Sequence, residues 1–131
     1  MNAPQSSPMP TLKDPSLLRT DSYIDGAWVK ADSGMVFDVD NPADGTIVAS
    51  VPDCGAAETR RAIEAAKAAL PAWRGLTAKQ RSTILRRWFD LILLNADDLA
   101  LILTTEQGKP LAEAKGEILY GASFIEWFAE E

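Results

Sequence analysis

A chain of 131 residues, 47% hydrophobic and 24% charged, has the size and make-up of one soluble globular domain. A net charge of −6 argues against a binder of nucleic-acid backbones, and the absence of histidine removes the commonest metal ligand and neutral-pH acid–base group. The lone cysteine, Cys54, allows no internal disulfide and fits a reducing compartment.

Residues 1–22 read as a flexible N-terminal tail, with Pro4, Pro8, Pro10 and Pro15 set among Ser, Gln and Asn. They hold no apolar run long enough for a signal peptide or membrane anchor. A mitochondrial transit peptide fits poorly, because Lys13 and Arg19 are the only bases and Asp14 and Asp21 are acidic. The cytoplasm is the expected location, with no membrane partner.

Short strands follow. Asp25-Gly26 between Tyr23-Ile24 and Trp28-Val29 is a hairpin signal. Residues 35–39 alternate imperfectly and stop at Asn41-Pro42-Ala43-Asp44-Gly45, a turn in which Gly45 can take a positive φ. The β-branched residues 46–51 resume as a strand before Pro52. Two hairpins or a small meander would satisfy this pattern.

Helices come next. Residues 56–70 are rich in Ala, with Gly55 as N-cap, Glu58 in the first turn and Pro71 as terminator. Thr77-Ala78-Lys79-Gln80 matches a capping box, and Ile84, Leu85, Trp88, Phe89, Leu91 and Ile92 then recur at helical spacing. Arg81, Arg86 and Arg87 share that helix with Asp90, and read as a solvated face or as an ion-pairing or docking surface. Asn95 should break the helix, leaving residues 96–106 as a further turn or two. Pro110 suits the first position of the last helix, where its missing N–H costs nothing. Leu111, Ala114, Ile118, Ala122, Ile125 and Ala129 line one face of that helix, and Gly116, Tyr120, Phe124 and Trp127 another. A helix apolar on two faces packs against two bodies. Its pattern still runs at Trp127 and Phe128, no Gly, Asn or Pro closes it, and Glu130 and Glu131 have the wrong sign for a helix C-terminus. The chain therefore reads as truncated within a helix. The order is α+β: N-terminal β-hairpins, then three or four helices.

No catalytic apparatus is recognisable from the residues alone. Cys54 precedes a helix but has no histidine to activate it, and reads as a small packed residue at a turn. Gly108-Lys109 lacks the earlier glycine and preceding strand of a phosphate loop. Glu113 and Glu117 read as a solvated or inter-subunit face in preference to a general acid–base pair.

Several segments in order resemble the N-terminal part of the NAD(P)-dependent aldehyde dehydrogenases. They are Tyr23-Ile24-Asp25-Gly26-Ala27-Trp28, the Asn41-Pro42-x-x-Gly45 turn, the helix ending near Leu70 with Trp73, the Arg81 helix, and Glu106-x-Gly108-Lys109-Pro110. Any one is weak; the ordered set covers residues 23–131. The run from Thr104 to Ala114, continued from Ser123 to Glu131, is most similar to the succinate-semialdehyde dehydrogenase branch. The resemblance implies the family's α/β fold. It also implies attack of a cysteine thiolate on the aldehyde, hydride transfer to NAD or NADP, and release of the acid by a glutamate-activated water. All those residues, and the nucleotide-binding ones, belong to later parts of the family sequence. This chain is thus expected to hold no catalytic and no cofactor-binding residues, and to be inactive alone.

Lesser roles carry over with the resemblance. The backbone carbonyls of Val39 and Asp40 and the side chain of Glu106 match a monovalent-cation site, the alternative for Glu106 being a plain surface acid. Gly116 and Tyr120 match positions lining the substrate tunnel, the alternative being ordinary helix packing. The implied partners are a small aldehyde and further copies in a homo-oligomer. Two readings of another class stay open: a non-catalytic interaction module, or an inert gene fragment.

Overall fold

The computed structural model describes residues 10–131. Strand β1, Ser22–Ile24, pairs antiparallel with β2, Ala27–Val29, in the register Tyr23↔Trp28. Asp25 and Gly26 connect them with φ of 52° and 77°, the two positive values that a tight two-residue turn needs. Strand β3, Val36–Asp40, pairs antiparallel with β4, Ile47–Pro52, from Val36↔Pro52 to Asp40↔Ile47. The pairing yields two separate two-stranded sheets, hairpins in preference to a meander.

Four helices follow: α1, Ala56–Gly75; α2, Ala78–Leu94; α3, Ala96–Gln107; and α4, Leu111–Glu130. Their starts repay the sequence signals. The Glu58 carboxylate turns back to accept the Gly55 N–H at 2.9 Å. Thr77 and Gln80 form both halves of a capping box, at 3.2 Å and 2.9 Å.

Three expectations along the helices need correction. Pro71 does not end α1, which runs on to Gly75. The ring removes one N–H bond, to the carbonyl of exposed Lys67, where water can replace it, so the helix survives. Beyond Asn95, α3 is a full helix of 12 residues, because Asn95 closes α2 and opens α3 without a loop. Pro110 is the N-cap of α4 and not its first helical residue.

The tail expected over residues 1–22 lies partly outside the described residues. Where it is described, it is docked. Leu12 is buried, and the backbone N–H groups of Lys13 and Asp14 donate to Asp98 on α3. Residues Pro15–Leu17 then form a 3-10 turn. Pro-rich composition disfavours regular structure, but it does not prevent a short segment from being pinned by a carboxylate elsewhere.

α4 lies against both α2 and α3. The buried residues at this junction are small: Ala96 and Ala100 on α3, Ala114, Ala122 and Ala129 on α4. Small side chains let helices approach closely, but they bury little apolar area each. The large apolar residues point elsewhere. Trp88, Tyr120, Trp127 and Phe128 are each more than half exposed. Arg86 on α2 secures the α2–α4 contact by pairing with Glu126 at 2.9 Å and with Glu130. Among the described residues, no helix is long and apolar enough to cross a membrane.

Candidate functional site

Two regions hold the residues that the sequence singles out. The first is built where the β3–β4 hairpin meets the end of α3. The hairpin tip is braced from within: Asn41 N–H donates to the Thr46 carbonyl at 2.8 Å, Gly45 N–H to the Asn41 carbonyl at 2.7 Å, and Ala43 N–H to Asn41 Oδ1 at 3.0 Å. Asp44 accepts from both the N–H and the hydroxyl of Thr46. The ladder is irregular between Val39 and Asp40, where Val48 is the extra residue on the facing strand. A bulge of this kind leaves local backbone groups outside regular pairing.

Gly108 ends α3 in the left-handed conformation, φ 78°, with its N–H on the Thr104 carbonyl at 2.8 Å. A Cβ on Gly108 would stand 2.7 Å from Pro42 Cγ. The Asn-Pro turn and the Gly-Lys-Pro turn, 66 positions apart, are therefore in direct contact, which spacing along the chain could not disclose. Val39, Asp40 and Glu106 flank these two turns. Glu106 is exposed and makes no ion pair among the described residues. Thr104 Oγ1, one turn before the end of α3, is buried without a hydrogen-bond partner among the described residues. Lys109 is engaged elsewhere, in an ion pair with Glu117 on α4.

The second region is the outer face of α4. Gly116 and Tyr120 lie one turn apart, as the sequence suggests. Among the described residues, no neighbouring element comes within 4 Å of where a Gly116 Cβ would be, and Tyr120 is 66% exposed. The Tyr120 ring meets Phe124 edge-on, 4.9 Å between centroids. Neither residue is used to hold α4 against α2 and α3, so this face is left free to line another surface.

The remaining candidates resolve as structural. Cys54 is half-buried, its Sγ 3.6 Å from Ser22 Oγ. Glu117 is ion-paired with Lys109, and Glu113 makes no ion pair among the described residues. No group of three or more His, Cys, Asp or Glu side chains among the described residues could hold a metal ion. Sequence reasoning missed the role of Glu58 beyond the first turn of α1. Its buried carboxylate also accepts the Asp32 N–H at 2.7 Å, while Arg61 grips the Asp32 carboxylate with two bonds of 2.6 and 2.8 Å. The backbone N–H of Asp32 first, and then those of Glu58 itself and Gly55, hold the Glu58 carboxyl below its ordinary range. The nearest signal was an acidic residue at the third position of a helix whose N-cap has no side chain.

Known proteins share this arrangement. The chain is 68% identical over 120 residues to glutarate-semialdehyde dehydrogenase of Pseudomonas aeruginosa, covering 92% of this chain and 25% of that protein. It is 62% identical over 120 residues to the NADP(+) succinate-semialdehyde dehydrogenase of Escherichia coli, with the same coverage. It superposes on the crystal structure of succinate-semialdehyde dehydrogenase from Burkholderia pseudomallei with a TM-score of 0.90 and 67% identity, over 92% of this chain and 25% of that one. The chain thus spans about a quarter of the length of these relatives. Residues 28–131 match the family model described as "Aldehyde dehydrogenase family". With that match over most of its length, the two hairpins followed by four helices belong to the aldehyde dehydrogenase family.

Proposed function

We propose that this chain is the N-terminal segment of a cytoplasmic, homo-oligomeric NAD(P)-dependent dehydrogenase that oxidises succinate semialdehyde, or a closely similar aldehyde, to the acid. The observation that carries this reading is the high identity to glutarate- and succinate-semialdehyde dehydrogenases over 92% of the chain. A third relative, 57% identical over 120 residues, is a 3-sulfolactaldehyde dehydrogenase. Its substrate, like the two semialdehydes, is a short aldehyde with an anionic group at the far end, and that shared chemistry favours an aldehyde of this class. A bound nicotinamide cofactor would supply the hydride acceptor, and the choice between NAD and NADP rests with residues outside this chain.

Within that enzyme the segment has two supporting roles. The Val39 and Asp40 carbonyls and the Glu106 carboxylate would hold a monovalent cation. Three oxygen donors suit a hard ion, and the Gly108–Pro42 contact brings their two turns together. Gly116 and Tyr120 would line the aldehyde's path, a role favoured by their position on the open face of α4. The exposed aromatic residues of α4 would be covered by the rest of the polypeptide. The non-catalytic module and the inert fragment are the competing readings.

Assay of the protein that contains this segment, with succinate and glutarate semialdehyde and each nicotinamide cofactor, tests the proposal. Carboxylate formation coupled to cofactor reduction is expected from that protein and none from residues 1–131 alone. Turnover by the 131-residue chain, or failure of the longer protein to oxidise either semialdehyde, would overturn it.

A further inference from the structure

The described N-terminal residues cross the chain to reach α3, and two adjacent carboxylates fasten them there. Asp98, 5% exposed, accepts the Lys13 N–H at 3.1 Å and the Asp14 N–H at 2.8 Å. Asp97 beside it accepts the Lys13 ammonium at 3.1 Å and the Lys115 ammonium of α4 at 2.6 Å. The segment then closes on itself, with Asp14 accepting the Ser16 N–H at 2.9 Å ahead of the 3-10 turn.

The fastening is made at the expense of α3. Asn95 offers α3 no side-chain cap, because its carboxamide donates back to the Leu91 carbonyl at 2.8 Å. Acidic side chains in a first turn ordinarily face the helix's own unpaired N–H groups. Here both are committed to residues 84 and 85 positions away. Beside the segment lies an open groove of about 640 Å³. Thr11 and Lys13 form one wall, and Ala100, Leu101, Leu111 and Ala112 form its apolar floor.

We propose that residues 12–17 are a strap that opens as a unit of its own, with Asp98 as its fastening and the groove between α3 and α4 as its seat. Leu12 is the single buried apolar side chain of the strap, so little apolar area holds it once the two Asp98 bonds are lost. The contact of α2 with α4 rests on residues that do not line this groove, Ala122, Ala129 and the Arg86 pairs. Opening therefore removes one wall of the groove, whose floor is already exposed at Leu111 and Ala112, while α2 and α4 stay packed.

Amide hydrogen exchange on the protein containing this chain tests the strap. The Lys13 and Asp14 amides should exchange through a local opening whose rate is insensitive to low concentrations of denaturant, while amides within α3 and α4 respond steeply. In Asp98→Ala, exchange at Lys13 and Asp14 should accelerate about tenfold or more, as loss of charge-assisted hydrogen bonds requires, with smaller change in α4. Asp97→Asn, which leaves both Asp98 bonds in place, should accelerate the two amides much less. Equal acceleration of strap and α4 amides in Asp98→Ala would overturn the proposal. So would a denaturant dependence at Lys13 and Asp14 matching that of α4, a readout that needs no variant.

Discussion

Gly108 rests against Pro42, so close that a Cβ on the glycine would stand 2.7 Å from the proline Cγ. The same glycine has φ 78°, a conformation that any other residue adopts only with strain. Gly108→Ala meets both obstacles and should lower stability by roughly 1–3 kcal/mol. Pro42→Ala in the same chain removes Cγ and Cδ, and leaves the Cβ at an ordinary 3.6 Å. The double variant should recover part of the loss, since only the dihedral strain then remains. Denaturant midpoints of the four proteins measure this, and strictly additive effects would count against the contact.

Glu58 should govern part of the acid response. Its folded pKa is depressed below the ordinary 4.5, chiefly by the Asp32 N–H. A depressed carboxyl contributes stability that is present above the unfolded value and lost as pH falls through the folded value. The chain should therefore weaken below about pH 4.5 through this group. Glu58→Gln, which keeps one carbonyl acceptor, should flatten that limb and lose less at neutral pH than Glu58→Ala, which orphans the Gly55 and Asp32 N–H groups. Thermal melts across pH 3–7, roughly the range in which carboxyls titrate, give the comparison.

The two sides of α4 should respond oppositely to added volume. Ala122 is 1% exposed, and Ala122→Leu should overpack the α2–α4 junction, at about 1–3 kcal/mol. Gly116 has open space around its absent Cβ and helical neighbours, so Gly116→Ala should stabilise by about 0.5–1 kcal/mol. If Gly116 lines the aldehyde's path in the longer protein, the same variant should raise KM for the semialdehyde while Tm rises. A raised Tm with unchanged kinetics would leave Gly116 as a packing residue only.

The cation proposal makes its own forecast. Glu106→Gln removes a charged oxygen without changing shape, so added sodium or potassium should raise Tm in the parent and not in the variant. The Glu106 side chain makes no ion pair among the described residues, so few other contacts confuse the result. An equal salt response in both proteins would sink the site.

Salt should act with the opposite sign at Arg86. Its guanidinium pairs with Glu126 and Glu130, raising its pKa, Glu126 first among the causes. The groups are accessible enough to be screened, so Arg86→Met should cost stability at low ionic strength and much less near 1 M salt, roughly where the Debye length shrinks to 3 Å. Melts at two salt concentrations check it.

Much of this chain was legible in short windows of sequence. Asp25-Gly26, Gly45, Thr77-x-x-Gln80 and Asn95 each satisfy backbone demands within a few residues, and each sits where its chemistry requires. The order of hairpins and helices followed from these signals, as did the aromatic outer face of α4. Pro71 misled because a breaker's cost depends on whether the orphaned carbonyl can reach water, which a local window does not report. Docking of residues 12–17 on Asp98, the grip of Glu58 and Arg61 on Asp32, and the meeting of Pro42 with Gly108 were illegible for a different reason. Each joins positions 26 or more apart through one or two contacts, and such pairings carry no periodicity and no composition. The candidate cation donors show both sides: their residue types could be read along the chain, but their neighbourhood existed only once the turn at Pro42 and the end of α3 had packed together.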